Sequence, residues 1–357
     1  MNINVYDTNF DWQMVLDHYQ SLLWTVRYNA YGDFEIMIDN DSDVEYYLQP
    51  DNYLTIPESD RMMIIEKFAP SENVDQGNYI VISGRSLESI LLRRIVWTQT
   101  IASGKVEDVI YKLINDAILN PSDPKRKIPN FIFRRSTDSR IAEIEIEQVQ
   151  FTGDNLYDVI QKLCSEFNIG FKVTLEDKKF VFELYMGEDR TNSQLANPAI
   201  EFSQDNDNLI SSKRTYDKTS YCNVTLVAGE DEGVNRKTAT VGDASGLDRR
   251  ELFTDARDIS TNNGEVPLSE YNQQLIARGN EKLDETGILQ EFESEVDNGK
   301  DAMYKLGRDY SIGDLLDISD YHNYVQSSVR VSEITIKDAV DGYSIYPIFD
   351  YSDTIFN

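Results

Sequence analysis

The chain has 357 residues, about twice the size of a typical single domain, so we expect at least two hydrophobic cores. Its 63 acidic and 34 basic residues give a formal net charge of −29, which argues against a surface that binds nucleic-acid phosphates. The sequence has no signal-peptide pattern and no apolar run approaching roughly 18 residues, so we expect synthesis in the cytoplasm and no membrane-spanning segment.

Two β-hairpins are predicted near the N-terminus. Residues 24–38 (WTVRYNAYGDFEIMI) alternate in side-chain character on both sides of a turn at 31–33. Residues 61–68 and 78–83 are two apolar runs around a polar loop, which favours a second antiparallel pair. Strand character then stops at Gly84.

Three helical segments follow in the first half of the chain. Residues 87–96 repeat leucine and isoleucine at helical spacing, and Ser86 is a suitable N-cap. Residues 106–113 (VEDVIYKL) and 156–163 (LYDVIQKL) share five identities in eight positions. Both place apolar residues at i, i+3, i+4 and i+7, so we predict two amphipathic helices that lie on a sheet.

The rest of the chain is predicted to be mostly β-structure, interrupted by a helix at 269–285. Residues 171–176 and 180–186 are predicted to form a hairpin, and the polar stretch 187–208 is a natural boundary. The order of elements predicts an α+β, β-rich fold. Further strands are predicted at 209–215, 221–228, 315–319, 327–339 and 343–349.

The two cysteines, Cys164 and Cys222, lie among apolar residues and lack a CxxC spacing. This pattern favours buried free thiols over a disulfide framework or a zinc site.

In chain order, these segments resemble the hub family of phage tails. That family includes the N-terminal structural part of tail-associated lysins and the minor tail proteins of siphophages. Four stretches carry the resemblance, at 24–38, 82–96, 216–233 and 310–336, and their order matters more than any single motif. The matching residues, expected to be structural, are Trp24, Gly32, Phe34, Gly84, Arg85, Leu87, Arg93, Arg94, Asn223, Gly313 and Asp314.

The resemblance implies a hub-type fold with two barrel-like domains, each interrupted by an inserted α/β or helical piece. The predicted parts are residues 1–98 with 196–212 as barrel I, 99–195 as an inserted α+β domain, 213–255 with 290–357 as barrel II, and 256–289 as an inserted helical segment.

The resemblance also implies a structural subunit of the tail tip or baseplate of the virion. Three copies would form a pseudo-sixfold ring through which DNA passes without specific binding. The implied partners, besides two further copies of this chain, are a distal tail or baseplate ring protein, a tail tube or tape-measure protein, and a tip or fibre protein. The sequence does not distinguish a siphophage from a contractile tail or a tailocin.

The acidic composition has two interpretations. Three subunits at −29 each would carry −87, and an acidic channel would repel DNA phosphates so that the genome slides. Alternatively, the charge only keeps the protein soluble. The basic signature residues leave a similar choice, because Arg85, Arg93 and Arg94 could form structural or inter-subunit ion pairs or lie on a solvated face.

No metal ligand, cofactor site or catalytic residue is predicted. Residues 39–45 (DNDSDVE) place acidic or amide oxygens as a calcium loop does, but Val44 stands where glycine is needed and Pro50 where a bidentate glutamate is needed. A solvated acidic loop is therefore expected. The two histidines, His18 and His322, stand in no metal-binding spacing.

Two alternative functions remain at this point. A cell-wall hydrolase needs only a pair of carboxylates, which could lie within residues 99–195. A carbohydrate-binding module for host receptors would use tyrosine-rich surfaces, although the sequence has no clustered aromatic pattern. Because Asn357 falls where the second barrel is expected to close, a further lytic module is not expected, and a non-enzymatic protein is favoured.

Overall fold

The computed structural model describes residues 1–40, 42–73, 77–261, 264–297, 299, 301–321, 325–340 and 342–350. The α-helices in these ranges are α1 (Ser42–Tyr47), α2 (Val106–Ile114), α3 (Ser139–Glu143), α4 (Leu156–Glu166) and α5 (Leu268–Glu285). The strands are β1 (Ile3–Tyr6), β2 (Trp12–Leu16), β3 (Ser21–Arg27), β4 (Asp33–Asp39), β5 (Tyr53–Thr55), β6 (Met63–Asn73), β7 (Gly77–Ser86), β8 (Thr100–Lys105), β9 (Phe131–Arg134), β10 (Glu145–Phe151), β11 (Gly170–Glu176), β12 (Lys179–Tyr185), β13 (Glu201–Ser203), β14 (Leu209–Asp217), β15 (Val224–Ala228), β16 (Thr238–Val241), β17 (Glu251–Asp255), β18 (Leu289–Val296), β19 (Leu315–Asp320), β20 (Val325–Ala339) and β21 (Gly342–Asp350).

A 13-stranded sheet joins the two ends of the chain. Its main path runs β14-β18-β21-β20-β3-β4-β7-β6-β5-β1-β2, and β19 and β13 branch from β20. The long strand β20 is the branch point, because residues 325–330 pair with β19 while 333–339 pair with β3. Strands from the N-terminal and C-terminal parts of the sequence therefore share one hydrogen-bonded sheet.

Alternating side chains explain why this sheet buries one face. In β3, Leu22, Trp24 and Val26 are buried, whereas Leu23 points to the other face and is 41% exposed. The same alternation buries Phe34 and its neighbours in β4, as expected for strands with a period of two. Burying each such side chain contributes about 1.5–3 kcal/mol. One cluster of buried residues extends from these strands to the C-terminal strands of the sheet.

An α+β unit lies in the middle of the chain. Strands β11, β12 and β9 form one sheet, in which β9 pairs parallel to β12, and β8 pairs with β10. Helices α2 and α4 place their apolar faces in the core of this unit, together with the 3-10 helix Leu87–Arg93. A π-helical turn, Asn115–Leu119, follows α2 directly.

A third, smaller unit contains β15, β16, β17 and α5. Its three strands form a separate sheet, and α5 packs against them. Its core is small and consists of Val227, Ala256, Ile259, Tyr271 and Leu275.

The predicted α+β, β-rich fold class is confirmed. The four-part domain division remains a prediction. Within the described residues, no helix is both long and apolar enough to cross a membrane.

Several local predictions differ from the structure. The helix expected at 87–96 is a 3-10 helix that ends at Arg93, and Ser86 does not cap it. The Ser86 hydroxyl instead accepts a hydrogen bond from the backbone of Gly32, at 2.7 Å. Cys164 is buried, but Cys222 is only half-buried because it lies before β15 at the rim of the small sheet.

The strands β1, β2, β5, β8, β9, β10, β13, β17 and β18 were not predicted, and the loop expected between 68 and 78 is largely strand. Short or charged strands such as β18 (LQEFESEV) lack a clear apolar pattern, so their partner strands determine their conformation.

Candidate functional site

The signature residues of the first hairpin pack at the centre of the large sheet. Trp24 and Phe34 are cross-strand partners, both are buried, and their ring centroids are 5.9 Å apart. Aromatic cross-strand pairs of this kind stabilise a sheet and fix its register.

Two signature glycines allow backbone segments to approach closely. A Cβ atom on Gly32 would lie 2.2 Å from the carbonyl oxygen of Thr25, and one on Gly84 would lie 1.8 Å from that of Ile64. Gly84 lies opposite a β-bulge in β6, where Glu66 is the additional residue. Neither position has room for a larger side chain.

The bulge directs Glu66 toward Arg85. The Arg85 guanidinium donates two hydrogen bonds to the Glu66 carboxylate, at 2.6 and 2.8 Å, and it lies 5.2 Å from the ring centroid of Tyr31. The hydrogen bond that Arg85 donates to Glu66 raises the pKa of Arg85 above its usual value. Arg85 thus forms an ion pair within this chain, and Leu87 next to it is buried in the core of the α+β unit.

The other two signature arginines make different contacts. Arg93 is half-exposed and lies 3.8 Å from Asp51, a distance at which an ion pair contributes little. Arg94 donates from Nε to the carbonyl oxygen of Arg126 at 2.8 Å, and burial followed by repulsion from Arg126 and Arg93 lowers its pKa. Arg94 therefore holds the turn at 124–126.

Asn223 fastens a loop of the small unit. Its amide nitrogen donates to the carbonyl oxygen of Asp248, and its amide oxygen accepts from the backbone of Arg250, both at 2.9 Å. Both the amide nitrogen and the amide oxygen of Asn223 therefore hold the segment that leads into β17.

Gly313 and Asp314 connect the loop before β19 to the linker that follows β12. Asp314 is 3% exposed and accepts hydrogen bonds from the backbone of Glu188, from Arg190 Nε, and from the backbone of Ser311, at 2.8 to 2.9 Å. Gly313 has a φ of +92°, a conformation that favours glycine. The two residues form a joint between parts of the chain about 125 positions apart.

A group of residues that the sequence did not reveal lies next to this joint. We call Tyr28, Gly170, Tyr185, Gly313 and Arg330 the Tyr28 junction. Cβ atoms added to Gly170 and Gly313 would lie 2.4 and 2.5 Å from the Tyr28 ring. The rings of Tyr28 and Tyr185 meet edge to face at 5.3 Å, and the guanidinium of Arg330 lies 5.2 Å from the Tyr28 ring.

The Tyr28 junction connects three parts of the molecule. The Tyr28 hydroxyl donates to the carbonyl oxygen of Asn168 in the α+β unit, and its backbone N–H donates to Ser332 in β20, both at 2.9 Å. Gly170 and Gly313 are the sequence features that could have indicated this packing. Glycines are common, however, and a glycine in a sequence does not show which residue packs against it.

A buried ion network adjoins the Tyr28 junction. Arg61 is 3% exposed and pairs with the buried Glu88 at 3.2 Å, with Asp60 at 3.0 Å, and with the hydroxyl of Tyr185 at 3.0 Å. Lys172 pairs with Asp60 from the other side, at 3.0 Å. The network links the segments next to β6 and β7 of the large sheet to β11 and β12.

Arg61, Tyr185 and Asp60 each keep one protonation state near neutral pH. Burial alone would lower the pKa of Arg61, but Tyr185, Glu88 and Asp60 outweigh burial and raise it. Burial raises the pKa of Tyr185, so its hydroxyl stays protonated. Burial would also raise the pKa of Asp60, but Arg61 and Lys172 lower it. The pKa values of these three groups are shifted away from neutrality, which suits a structural joint better than acid–base catalysis.

The hydrolase alternative requires a pair of carboxylates in the α+β unit, one of them protonated. Among the described carboxylates of this unit, Glu166 on α4 has a raised pKa. Burial is the main cause. The negative charges of Glu281 and Asp284 on α5 add to it, whereas Lys162 opposes it. Glu281 forms ion pairs with Lys162 and Arg278. Glu166 and Glu281 thus belong to a charged contact between α4 and α5.

The solvated acidic loop expected at 39–45 is not a loop in its described part, because β4 ends at Asp39 and α1 begins at Ser42. Asp41, the side chains of Ser42 and Asp43, and His322 lie outside the described residues. Within the described part of the chain, no group of three or more histidine, cysteine, aspartate or glutamate side chains is arranged to hold a metal ion.

The structure brings the signature residues together in three places. Trp24, Phe34, Gly84 and Arg85 lie on adjoining strands of the large sheet, and Gly32 lies directly before β4. Gly313 and Asp314 lie at the Tyr28 junction, and Asn223 lies in the separate small unit. The signature residues are therefore spread over the fold and do not all line one pocket.

The model of the family described as siphovirus ReqiPepy6 Gp37-like protein matches residues 2–349. No curated protein matches the sequence. The fold is similar to that of the 43 kDa tail protein of prophage MuSo2 from Shewanella oneidensis, at 12% identity, with a TM-score of 0.55 and 98% of each chain covered. It is also similar to the tail protein from Neisseria meningitidis MC58, at 12% identity and a TM-score of 0.57, covering 98% of this chain and 95% of the other.

Proposed function

This chain belongs to the siphovirus ReqiPepy6 Gp37-like protein family, and from this membership we propose that it is a structural hub subunit of the phage tail tip or baseplate. The resemblance to siphophage tail proteins inferred from the sequence motifs is confirmed by the family match and by the folds of two tail proteins. The hub role, the trimeric ring and the partners are our proposal.

The family match over residues 2–349 is the observation that carries this proposal. The 43 kDa prophage tail protein and this chain cover 98% of each other, so the fold is shared over nearly the whole length. Because a fold alone does not determine function, this likeness supports the proposal only by analogy.

The ends of the large sheet suit a ring of identical subunits. In the described chain, β14 and β2 are the terminal strands of the main path, so each has one side open for backbone pairing. Ile210 on β14 is 60% exposed, and Trp12 on β2 is 57% exposed. A contact between the two different edges would be head-to-tail, and three such contacts related by a threefold axis close a ring.

The proposed ring would lie in the virion between a distal tail or baseplate ring and a tip or fibre protein, adjoining the tail tube or tape-measure protein. With −29 on each subunit, a channel through the ring would repel DNA phosphates and let the genome pass without specific binding. A calculated channel potential that is neutral or positive in the assembled ring would contradict this part of the proposal.

The oligomeric state tests the hub proposal. We expect sedimentation equilibrium of the purified chain to give the mass of a trimer and negative-stain images to show rings. Ile210→Asp should weaken the trimer, because it places a charge at a proposed contact edge. Leu195→Asp, at a fully exposed position, introduces the same charge and should leave the mass unchanged. A chain that stays monomeric at all concentrations and forms no rings would count against the hub.

We propose that the protein acts without catalysing a reaction, and the hydrolase alternative has its own test. A hydrolase of the carboxylate type needs a protonated carboxyl as general acid, and Glu166 is the described carboxylate of the α+β unit with a raised pKa. Zymography on peptidoglycan should give no lysis band for the natural chain. A band that disappears in Glu166→Gln would establish the hydrolase instead.

A further inference from the structure

We propose that a cleft beside Trp97, in the α+β unit, binds one ring of a neutral saccharide. The cleft has a volume of about 260 Å³, and it lies between the segment after the 3-10 helix Leu87–Arg93 and the end of α2. Val96, Leu113 and Ala117 provide buried apolar surface, while Asp116 and Asn120 provide polar groups. This inference is independent of the ring proposed above.

Trp97 supplies a flat apolar surface at the mouth of the cleft. Its side chain is 64% exposed, which is unusual for the largest apolar side chain. The guanidinium of Arg126 lies 5.1 Å from the indole centroid, and Nη2 of the same arginine donates to the carbonyl oxygen of Ile95 at 2.7 Å. Arg126 therefore fixes the orientation of the ring by a cation–π contact. An oriented, exposed indole suits stacking against the C–H face of a pyranose.

The polar side of the cleft is built on an unusual helical turn. Asp116 and Ala117 belong to the π-helical turn Asn115–Leu119, and Asn120 ends it. Such turns are rare and often lie at functional sites, because they shift side chains away from their α-helical positions. Asn120 donates to the side chain of Asn115 at 2.8 Å, and Asn115 donates to Asp116 Oδ1 at 2.9 Å. The carboxylate is therefore oriented, and it can accept hydrogen bonds from sugar hydroxyls.

The size and charge of the cleft indicate the class of ligand. Its volume is slightly below the roughly 300–1,000 Å³ of sites for drug-sized ligands, which suits a single sugar ring of a longer glycan. Asp116 and Arg126 are the two charged residues of the lining, so the lining has no net charge and suits a neutral sugar. Arg94 supports the cleft indirectly, because it holds the carbonyl of Arg126.

Isothermal titration calorimetry with the full chain tests the proposal. The probes are chitotriose and cellotriose, which are neutral and have flat C–H faces, and 3′-sialyllactose as an anionic comparison. We expect saturable binding of at least one neutral probe and weaker binding of the anionic one. Trp97→Ala and Asp116→Asn should each weaken binding by about tenfold or more. The control Tyr46→Ala removes another aromatic side chain, 75% exposed, and should leave binding unchanged.

Thermal unfolding of each variant separates lost binding from lost structure. If Trp97→Ala unfolds at a lower temperature, Asp116→Asn still tests the cleft, because it changes one polar group at an exposed position. The proposal is overturned if neither neutral probe binds at concentrations up to about 10 mM. It is also overturned if folded Trp97→Ala and Asp116→Asn bind as the natural chain does, or if the anionic probe binds more tightly.

Discussion

At the scale of single residues, glycines in this protein mark places where two backbones touch. Gly84 illustrates the point because its φ is ordinary, so the constraint is space alone. The carbonyl oxygen of Ile64 occupies the position that a Cβ atom would need. The neighbouring bulge, which turns Glu66 toward Arg85, depends on this close approach.

We predict that Gly84→Ala destabilises the protein by about 3 kcal/mol, because the new methyl group forces β6 and β7 apart. Chemical denaturation followed by circular dichroism measures the change. Ser83→Ala in the same strand adds no atom and should change the free energy of unfolding by less than about 0.5 kcal/mol. Equal stability of Gly84→Ala and the natural chain would mean that the strands are not held this closely.

Asp314 is a second residue whose contacts give a definite expectation. Its carboxylate accepts three hydrogen bonds while almost completely buried, and one of them comes from the charged Arg190. Asp314→Asn replaces an acceptor by a donor and leaves the arginine without its counter-charge. We expect a loss of about 2–3 kcal/mol in the free energy of unfolding.

Asp243→Asn is the matched control, because the same charge is removed at an exposed position. Hydrogen exchange should also increase near Glu188 and Ser311 in Asp314→Asn, since both donate backbone hydrogen bonds to Asp314. Unchanged exchange in these segments would contradict the role of Asp314 as a joint.

At the scale of elements, the small unit depends on one carboxylate. Glu230 accepts hydrogen bonds from the backbone and hydroxyl of Thr261, at 2.9 and 2.7 Å, and from the hydroxyl of Ser260 at 3.0 Å. Lys237 also pairs with it, and the backbone of Glu230 donates to Tyr271 of α5 at 2.8 Å. The hydrogen bond from Lys237, followed by those from Thr261 and Ser260, lowers the pKa of Glu230 from 4.5 to about 2.

This shift predicts acid sensitivity of the small unit. Because the folded-state pKa is lowered, the stabilisation is complete above the unfolded value of 4.5 and is lost as the pH falls toward about 2. We expect Glu230→Gln to have a lower melting temperature than the natural chain at about pH 6, with a difference that disappears near pH 2. Thermal unfolding across this range measures the difference. Glu232→Gln, at an exposed neighbour, should show none, and a constant Glu230→Gln difference would refute the assignment.

Elements with a strong local pattern could be predicted from the sequence. The helices α2, α4 and α5 follow apolar periodicity, and the strands around Trp24 and Phe34 follow alternation. Strands whose partners are distant could not, as the parallel pairing of β9 with β12 and of β13 with β19 illustrates. Their conformation is fixed by a sheet that assembles only in the folded chain.

The candidate sites were predictable to a smaller extent. Gly313 and Asp314 stand in a recognisable turn motif and Gly84 in a motif expected near the end of a strand, but their neighbours in space are not evident from the sequence. The hydrogen bond from Tyr28 to Asn168 joins residues 140 positions apart. The cleft beside Trp97 depends on a π-helical turn, and the spacing in residues 106–120 does not distinguish such a turn from a continued α-helix.

At the scale of the whole molecule, charge opposes the association that the hub requires. Each subunit carries −29, so three subunits brought into a ring repel one another over distances longer than any single contact. The proposed contact edges expose apolar side chains, Ile210 on β14 and Trp12 on β2. Repulsion is screened by salt, with a Debye length of about 30 Å at 0.01 M and about 8 Å at 0.15 M, whereas apolar contacts and backbone pairing are not weakened.

We therefore predict that the trimer becomes more stable as the salt concentration rises from about 0.01 to 0.15 M. Sedimentation equilibrium at several chain concentrations gives the association constant at each ionic strength. Sucrose at matching osmolality is the control for effects of solute on water, and it should not reproduce the increase. A trimer that weakens with salt would mean that ion pairs between subunits hold the ring, and the proposed apolar edges would then be wrong.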